Sequence, residues 1–478
     1  MKKKTRFVIW TLAWLTSAVA TAFSAELQIN SLSAYDGRSN IVFQASGNVV
    51  INGGLLSLPV LPPGVENGRL EIQSGRNIIV ASGTSIAAGP GWSVYFAARN
   101  AIVLESGSKI EADAGKVTLE ASSVNLDGVI QADSIGTASG LIAIHANMAI
   151  NLGTDSIISA QGDGQGISAG GSVIIKSDAS FSDQTGSTID IAGGRQGGEG
   201  GKAEISAPQI SAINSTVNGQ ALDGFAGGVA TIDPANVYLT ANGAAKNGYT
   251  SIAFSAFSGT TINVMADQNI EIGGLWALAS AASPASLTLI AGNNIAVDNN
   301  AGISAGNNWS VNLTAGIALP QGSTPTSGND GIYLNGTAYL QTFDGSINLS
   351  ASNEVVVGSG AIRTIGGGNI GVTTTYGNIN SGTSVSGYNY YALGTGTAAK
   401  PYNTTFQFSG SGTGQTINYN QSNLGGIATA AGGNVTLNAG GNVISFPATT
   451  VAAGDPGIGA FGPEAGNVSI TAGGSVYG

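Results

Sequence analysis

The clearest pattern in this chain is a short alternation of apolar and polar positions that recurs. Residues 433–441 read Gly-Asn-Val-Thr-Leu-Asn-Ala-Gly-Gly, and residues 466–474, 33 positions later, read Gly-Asn-Val-Ser-Ile-Thr-Ala-Gly-Gly. In each copy the apolar residues alternate with Thr, Ser or Asn, which is the period of a β-strand with one buried face. Paired glycines flank each copy and indicate turns.

Looser copies of this unit run back through the chain. They begin at Arg76, Arg99, Gly171, Gly201 and Asn293, at irregular spacings in the twenties and thirties where copies are consecutive. A unit of one strand and one turn cannot bury its apolar face alone, so neighbouring units must stack on it. The repetition therefore predicts a solenoid.

Composition indicates which solenoid. Gly occurs 74 times and only 6% of residues are aromatic, and the runs of Leu, Glu and Lys that helical repeats need are missing. Small β-branched residues and Ala fit the narrow interior of a β-helix, whose coils stack about 4.8 Å apart. We predict an all-β chain, a parallel β-helix (β-solenoid) with extra-helical loops, right-handed by the general rule for parallel crossovers.

This fold assigns a direction to each side chain of the two clearest copies. Alternation predicts that one row of residues points inward and that the intervening row points outward. The inward row is Val435, Leu437, Val468 and Ile470, and the outward row is Thr436, Asn438, Ser469 and Thr471.

The first residues have the pattern of a signal peptide. Lys2, Lys3, Lys4 and Arg6 precede an apolar stretch at 7–15, and Ala20-Thr21-Ala22 is a small-x-small cleavage motif. We predict a signal peptide at residues 1–22, cleaved near Ala22. The chain has no Cys, so an exported product gains no stability from disulfide bonds.

The remainder divides into two β-helical parts, residues 23–231 and 232–478, the second with loop insertions near 319–335 and 376–424. The second insertion is rich in tyrosine, a residue favoured at recognition surfaces. We predict that it protrudes as a contact loop; the alternative is that its rings pack back over the coils. The tyrosines concerned are Tyr388, Tyr390, Tyr391, Tyr402 and Tyr419.

The residues that carry catalysis are scarce, and we predict no catalytic, cofactor-binding or metal site. The single histidine, His145, alternates with Ile144 and Ala146 and is predicted to face outward without a catalytic role. With one His and no Cys, the usual transition-metal sites lack ligands.

Paired carboxylates are the better enzymatic candidate. Glu111 and Asp113 alternate with Ile110 and Ala112, so both should stand on one outer face about 7 Å apart, a separation that a glycoside hydrolase can use. Lys109 is adjacent, but no aromatic sugar platform is nearby, and a solvated acidic face is the favoured interpretation. The glycine-rich stretches at 162–166 and 193–201 lack the iteration of a calcium repeat and the Lys-Ser/Thr of a phosphate loop, and are predicted to be turns.

The net charge of −11 argues against nucleic acid as a partner. Asn-x-Ser/Thr triplets arise freely in a chain rich in these residues, and the sequence leaves their modification open. They include Asn214, Asn308, Asn312, Asn335, Asn348, Asn403, Asn420, Asn434 and Asn467.

Four phrases occur in an order that resembles the filamentous haemagglutinin-type exoproteins of bacterial two-partner secretion. They are Ser-Thr-Ile-Asp-Ile-Ala-Gly-Gly at 187–194 with Gly-Gly-Lys at 200–202, Ile-Asp-Pro at 232–234, Thr-Tyr-Gly-Asn-Ile-Asn-Ser-Gly at 375–382, and the glycine-rich phrase at 425–435. The resemblance implies a Gram-negative protein that is secreted or lies on the outer cell surface. The implied partners are an outer-membrane transporter and a host, matrix or neighbouring-cell ligand, with glycans among the candidates. Residues 23–100 contain no Asn-Pro-Asn motif of that family's secretion domain, which leaves the export route open.

Three function classes remain: an adhesin, a β-helical polysaccharide lyase or hydrolase, and the stalk of a larger secreted toxin. The scarcity of catalytic residue types favours the adhesin and predicts no enzymatic activity. The chain stops within a repeat phrase, at 473–478, a position more typical of the front part of a longer protein than of a capped solenoid.

Overall fold

A computed structural model describes residues 17–22, 26–61, 63–259, 261–319, 323, 325–384, 406–409, 416–419, 424–445, 457–461 and 465–477. Apart from two short 3₁₀ turns, Ser33–Tyr35 and Phe254–Ala256, the regular structure of these residues is β-strand. The predicted all-β parallel β-helix is confirmed. Its right-handed sense stays a prediction.

The chain divides into two compact units. Unit 1 comprises Met1–Pro234 with Ser255–Thr261, and unit 2 comprises Ala235–Phe254 with Ile262–Gly478. The division lies close to the boundary predicted at 231 and 232. Of the predicted signal peptide, the described part is Ser17–Ala22, which forms a strand.

In unit 1 each coil contributes strands to three faces, and strands of successive coils pair in parallel. The first face contains β1 (Ser17–Ala22), β3 (Asn40–Ala45), β6 (Gly68–Ser74), β9 (Trp92–Ala98), the first halves of β12 (Lys116–Leu126) and β14 (Leu141–Leu152), β16 (Ser172–Ser177), β19 (Lys202–Ser206) and β23 (Val229–Asp233). The second contains β2 (Glu26–Ile29), β4 (Asn48–Ile51), β7 (Asn77–Val80), β10 (Ala101–Leu104), the second halves of β12 and β14, β17 (Ser180–Asp183) and β20 (Gln209–Ile210). The third contains β5 (Leu55–Ser57), β8 (Ser85–Ala88), β11 (Lys109–Ala112), β13 (Val129–Gln131), β15 (Ile157–Ser159), β18 (Thr188–Asp190) and β22 (Thr216–Asn218); β21 is Ala212–Ile213.

Unit 2 repeats this three-faced arrangement. Its first face contains β26 (Thr261–Ala266), β29 (Ala285–Ala291), β32 (Trp309–Ala315), β35 (Ile347–Ala351), β38 (Ile370–Thr374), β43 (Val435–Ala439) and β46 (Val468–Ala472). The second contains β24 (Asn236–Thr240), β25 (Thr250–Ala253), β27 (Asn269–Ile272), β30 (Ile295–Val297), β33 (Ile332–Leu334), β36 (Val355–Val357), β39 (Ile379–Asn380), β44 (Val443–Ile444) and β47 (Val476–Tyr477). The third contains β28 (Leu275–Leu278), β31 (Gly302–Ala305), β34 (Tyr339–Thr342), β37 (Ala361–Thr364), β42 (Gly426–Ala430) and β45 (Ile458–Phe461). β40 (Phe406–Ser409) and β41 (Thr416–Tyr419) form a separate antiparallel hairpin.

The core is the inward row of each strand. In β43, Val435 and Leu437 are fully buried while Thr436 and Asn438 are exposed, as the alternation predicts. Val468 and Ile470 lie in register with them but are 44% and 37% exposed, because no described strand packs over β46. The prediction that these two side chains share the inward row is confirmed by this register, and their exposure shows that membership of the row does not by itself bury a side chain.

Asparagine ladders hold the corners of the coils. Asn236 Oδ1 accepts a hydrogen bond from the backbone N–H of Asn269, and Asn269 Oδ1 accepts one from Asn294. Asn434 repeats the arrangement, since its own N–H donates to Asn369 and its Oδ1 accepts from Asn467. Each amide satisfies a backbone group that the turn leaves unpaired, so these corners are joined without a charged side chain.

Glycine is required where the backbones of a coil approach closely. Gly140 lies at the start of β14, and a Cβ atom placed on it would lie 1.5 Å from the carbonyl oxygen of Ala132. The carbonyl oxygen of Gly140 accepts a hydrogen bond from the backbone N–H of Ser172 in the next coil. No side chain fits at this position without moving the backbone.

The two predicted insertions leave the coil at corners. Residues 316–331 connect β32 to β33, and residues 381–425 connect β39 to β42. Tyr388, Tyr390, Tyr391 and Tyr402 lie outside the described residues, and of Tyr419 only its place in β41 is described. The contact-loop hypothesis for residues 376–424 therefore stays a prediction.

Candidate functional site: a groove at a corner of unit 1

A groove of about 800 Å³ runs along the corner between the first and second faces of unit 1. The strands β3, β6 and β9 end here before the chain bends into β4, β7 and β10. In β12 and β14 the same bend is an irregularity in the pairing, located between Ala121 and Ser123. Five successive coils contribute to this corner groove, each through the same short segment.

One rim of the groove is a ladder of outward side chains. Gln44 pairs with Gln73 and Gln73 with Ala97, and the row continues through Glu120 to His145. Because pairing is parallel and in register, each coil places one side chain of this row directly above the last. The rim therefore carries two amides, a carboxylate and an imidazole in line.

The floor and the opposite rim are built from the residues that follow. Ala45, Ser74, Ala98 and Ala121 form the floor, and all four are buried in the coil. The opposite rim consists of Ser46, Gly75, Arg99, Ser122 and Asn147. The lining thus carries amide, carboxylate and imidazole groups on one rim and hydroxyl, amide and guanidinium groups on the other, with small buried residues between them.

Hydrogen bonds fix the first rim from coil to coil. Gln44 Nε2 donates to Gln73 Oε1 over 3.2 Å, and Gln73 Nε2 donates to Glu71. Glu71 also accepts from Arg69 Nε at 2.9 Å, and the Arg69 guanidinium lies 4.7 Å from the centre of the Tyr95 ring. This network holds the amides of the rim in fixed orientations.

Tyr95 connects the network to Glu120. Its hydroxyl donates to Glu120 Oε2 over 2.6 Å. This hydrogen bond to a carboxylate, with burial and the charge of Glu120, raises the pKa of Tyr95 to about 12. The Tyr95 hydroxyl therefore keeps its proton well above neutral pH and positions the Glu120 carboxylate beside the groove.

His145 lies at the end of the rim, beyond Glu120. Its neighbours Ile144 and Ala146 are buried, so the predicted outward orientation is confirmed. Nε2 lies 3.2 Å from Asp178 Oδ1, with the two side chains 42% and 52% exposed. The carboxylate comes from the next coil, a partner that sequence spacing did not reveal, and it orients the ring over the groove.

The predicted carboxylate pair lies elsewhere, on the third face. Glu111 points outward between Ile110 and Ala112 and forms an ion pair with Lys109 at 2.5 Å. Asp113 accepts hydrogen bonds of 3.1 Å from Gln131 Nε2 and from the backbone N–H of Asp133. Each carboxylate thus has its own protein partner, and Asp113 joins one coil to the next.

A second polar cluster lies on the second face of unit 2. Lys246 pairs with Glu271, and its Nζ lies 4.8 Å and 4.7 Å from the ring centres of Tyr238 and Tyr249. Burial alone would lower the pKa of Lys246, but the hydrogen bond and charge of Glu271 outweigh it and raise the pKa. Burial, together with the Glu271 carboxylate, raises the pKa of Asp298 to about 6.

This cluster predicts that unit 2 is more stable in mild acid. The folded pKa of Asp298 exceeds its ordinary value of 3.8, so the stabilisation by its proton is complete below about pH 4 and is lost as the pH rises through about 6. We expect Asp298→Asn to remove this contribution and to raise stability at pH 8 by at most about 1 kcal/mol, because the site is largely solvated. Thermal melts of both proteins from pH 4 to pH 8 measure it; parallel pH profiles for both would contradict it.

Within the described ranges no three His, Cys, Asp or Glu residues lie close enough together to hold a metal ion. No helix in that part of the chain has the length and apolar character to cross a membrane. The glycine-rich stretch at 162–166 lies between β15 and β16, and the stretch at 193–201 lies between β18 and β19, at the corners where the chain returns to the first face.

Comparison with known proteins returns no relative: no family model, no curated protein and no solved structure matches this chain. The function must therefore be argued from the site itself.

Of the residues that line the corner groove, the sequence analysis singled out only His145 as a candidate site residue, and it did not predict the groove. A signal was present, since four of its segments begin with an outward polar residue followed by two or three small or polar positions. These segments are 44–47, 73–76, 120–123 and 145–148. Aligning the chain at its corners rather than at its strands brings these residues into one row.

Proposed function

We propose that this chain is an exported bacterial adhesin of the filamentous haemagglutinin type, in which a β-helix presents binding surfaces to a cell or matrix. One observation supports this most directly: five consecutive coils repeat the same outward positions and so assemble one groove open to solvent, with polar side chains along both rims. The proposal also draws on the signal-like N-terminus and on the ordered phrases that resemble the family.

The adhesin proposal predicts attachment by the folded chain. Beads coated with the protein lacking residues 1–22 should bind epithelial cells or immobilised matrix several-fold more than beads coated with heat-unfolded protein. We expect the difference in bead binding because specific attachment needs the folded surface, whereas non-specific adsorption does not. Bound beads are counted by microscopy, and equal binding by the two preparations on every surface tested would contradict the proposal.

A second candidate function is cleavage of a polysaccharide. Glu120 and His145 are register partners on one rim of the groove, and each is oriented by a neighbour, Tyr95 or Asp178. A carboxylate and an imidazole in such positions can act as general acid and base. New reducing ends or unsaturated products that disappear in Glu120→Gln would favour this function over adhesion.

A further inference from the structure

We propose that the corner groove of unit 1 binds a neutral, linear oligosaccharide lying along the axis on which the coils stack. This inference rests on the proposed adhesive function and names the class of ligand. It is carried by three features of the groove: its period, its two rims and its floor.

The period of the groove matches a chain of sugar rings. The lining residues repeat once per coil, and coils are spaced about 4.8 Å apart, close to the advance of one pyranose ring along an extended glycan. Gln44, Gln73, Glu120 and His145 thus offer polar groups in four of the five coils, and Ala97 occupies the same position in the middle coil. Five coils extend the contact over about 19 Å.

The rims carry the kinds of group that bind sugar hydroxyls. Amides and hydroxyls contribute both donors and acceptors, supplied on one side by Gln44 and Gln73 and on the other by Ser122 and Asn147. Planar groups with two polar atoms, such as these amides and the guanidinium of Arg99, can engage two adjacent hydroxyls. The hydrogen bonds from Gln44 to Gln73 and from Tyr95 to Glu120 orient part of the first rim before any ligand binds, which lowers the entropic cost of binding.

Charge favours an uncharged glycan over an acidic one. The groove lining contains one positively charged side chain, Arg99, and one negatively charged side chain, Glu120. Their charges cancel. The whole chain carries a net charge of −11, which repels polyanions at long range.

The floor favours a sugar over an extended peptide. The floor residues Ala45, Ala98 and Ala121 are small and buried in the coil, so no side chain projects from the floor into the space where a ring would lie. A peptide binding by strand addition needs a free sheet edge, whereas the strands beside this groove already pair with the coils on both sides; β6, for example, lies between β3 and β9. A peptide therefore gains no backbone pairing here.

The test uses titration calorimetry with neutral linear oligosaccharides, from disaccharide to hexasaccharide, and the chain lacking residues 1–22. We expect affinity to rise with oligosaccharide length until the five coils are spanned. Ala97→Trp fills the groove from an outward position, and we expect it to weaken binding at least about tenfold. The matched control is Ala87→Trp, an outward alanine on the third face in β8, which should leave binding unchanged.

Parallel assays separate this inference from the proposed function. If beads adhere to cells but no neutral oligosaccharide binds, or if Ala97→Trp and Ala87→Trp behave alike, the groove inference is overturned while the adhesin proposal stands. Binding only of carboxylated or sulfated glycans, or only of extended peptides, also overturns it. Length-dependent binding that Ala97→Trp abolishes supports the inference even if the beads do not adhere, in which case the adhesin proposal fails.

Discussion

Replacing Leu437 by Asp should lower the free energy of unfolding of unit 2 by about 4 kcal/mol or more. Leu437 is fully buried in β43, between Val372 in the preceding coil and Ile470 in the following one. A carboxylate there has no partner in the aliphatic row, and an uncompensated buried charge costs about 3–5 kcal/mol in addition to the lost apolar burial. The midpoint of thermal unfolding, followed by circular dichroism, should fall by roughly 10 °C.

The neighbouring residue provides the control for this substitution. Asn438 is exposed on the outer side of the same strand, so Asn438→Asp adds the same charge without burying it and should change stability by less than about 0.5 kcal/mol. Equal melting points for Leu437→Asp and the unmodified chain would show that this residue does not lie in a packed coil.

Replacing Gly140 by Ala should also lower the free energy of unfolding substantially, by about 3 kcal/mol. The added methyl group would overlap the carbonyl oxygen of Ala132, and backbone atoms cannot yield as a flexible side chain can. Forcing atoms into a filled space typically costs about 1–3 kcal/mol, and here the carbonyl that pairs with Ser172 must move as well. In urea unfolding of unit 1, the lost stability should appear as a lower urea concentration at the midpoint of unfolding.

Gly89 is the matched control for Gly140. A Cβ atom on Gly89 meets no atom within 4 Å, so Gly89→Ala should be neutral or slightly stabilising, because it reduces the freedom of the unfolded chain. If Gly140→Ala is as stable as Gly89→Ala, the close approach of the two backbone segments at β14 is not present in solution.

Alternation was sufficient to predict which side chains of a strand point inward, and repetition and composition extended that prediction to a stacked coil. Val435 and Leu437 alternate with Thr436 and Asn438 because a strand in a stacked coil buries every second residue, and this rule operates within a few residues of sequence. The exposure of Val468 and Ile470 does not follow from alternation, since burial also depends on whether a further coil lies above.

The groove could not be predicted in the same way, because its residues meet only across coils. Glu120 and His145 are 25 positions apart, and Asp178 comes from yet another coil. Coil length varies, with hydrogen-bonded partners 23 residues apart at Arg99 and Ser122 and 36 apart at Asn312 and Asn348. Without knowing each coil's length, no spacing rule places these side chains in one row, whereas the pair Glu111 and Asp113 stood out because it is local.

The constancy of strand register despite unequal coils bears on how such a surface changes in evolution. Asn369 and Asn434 are 65 positions apart and still occupy successive rungs of one ladder, although residues 381–425 intervene between two faces of the coil. The entropic cost of closing a loop grows only with the logarithm of its length, so a corner tolerates segments of widely different size. Corners of this β-helix can therefore gain, lose or exchange loops while the ladders beneath them stay the same, so variation in the loops is separated from folding of the coils.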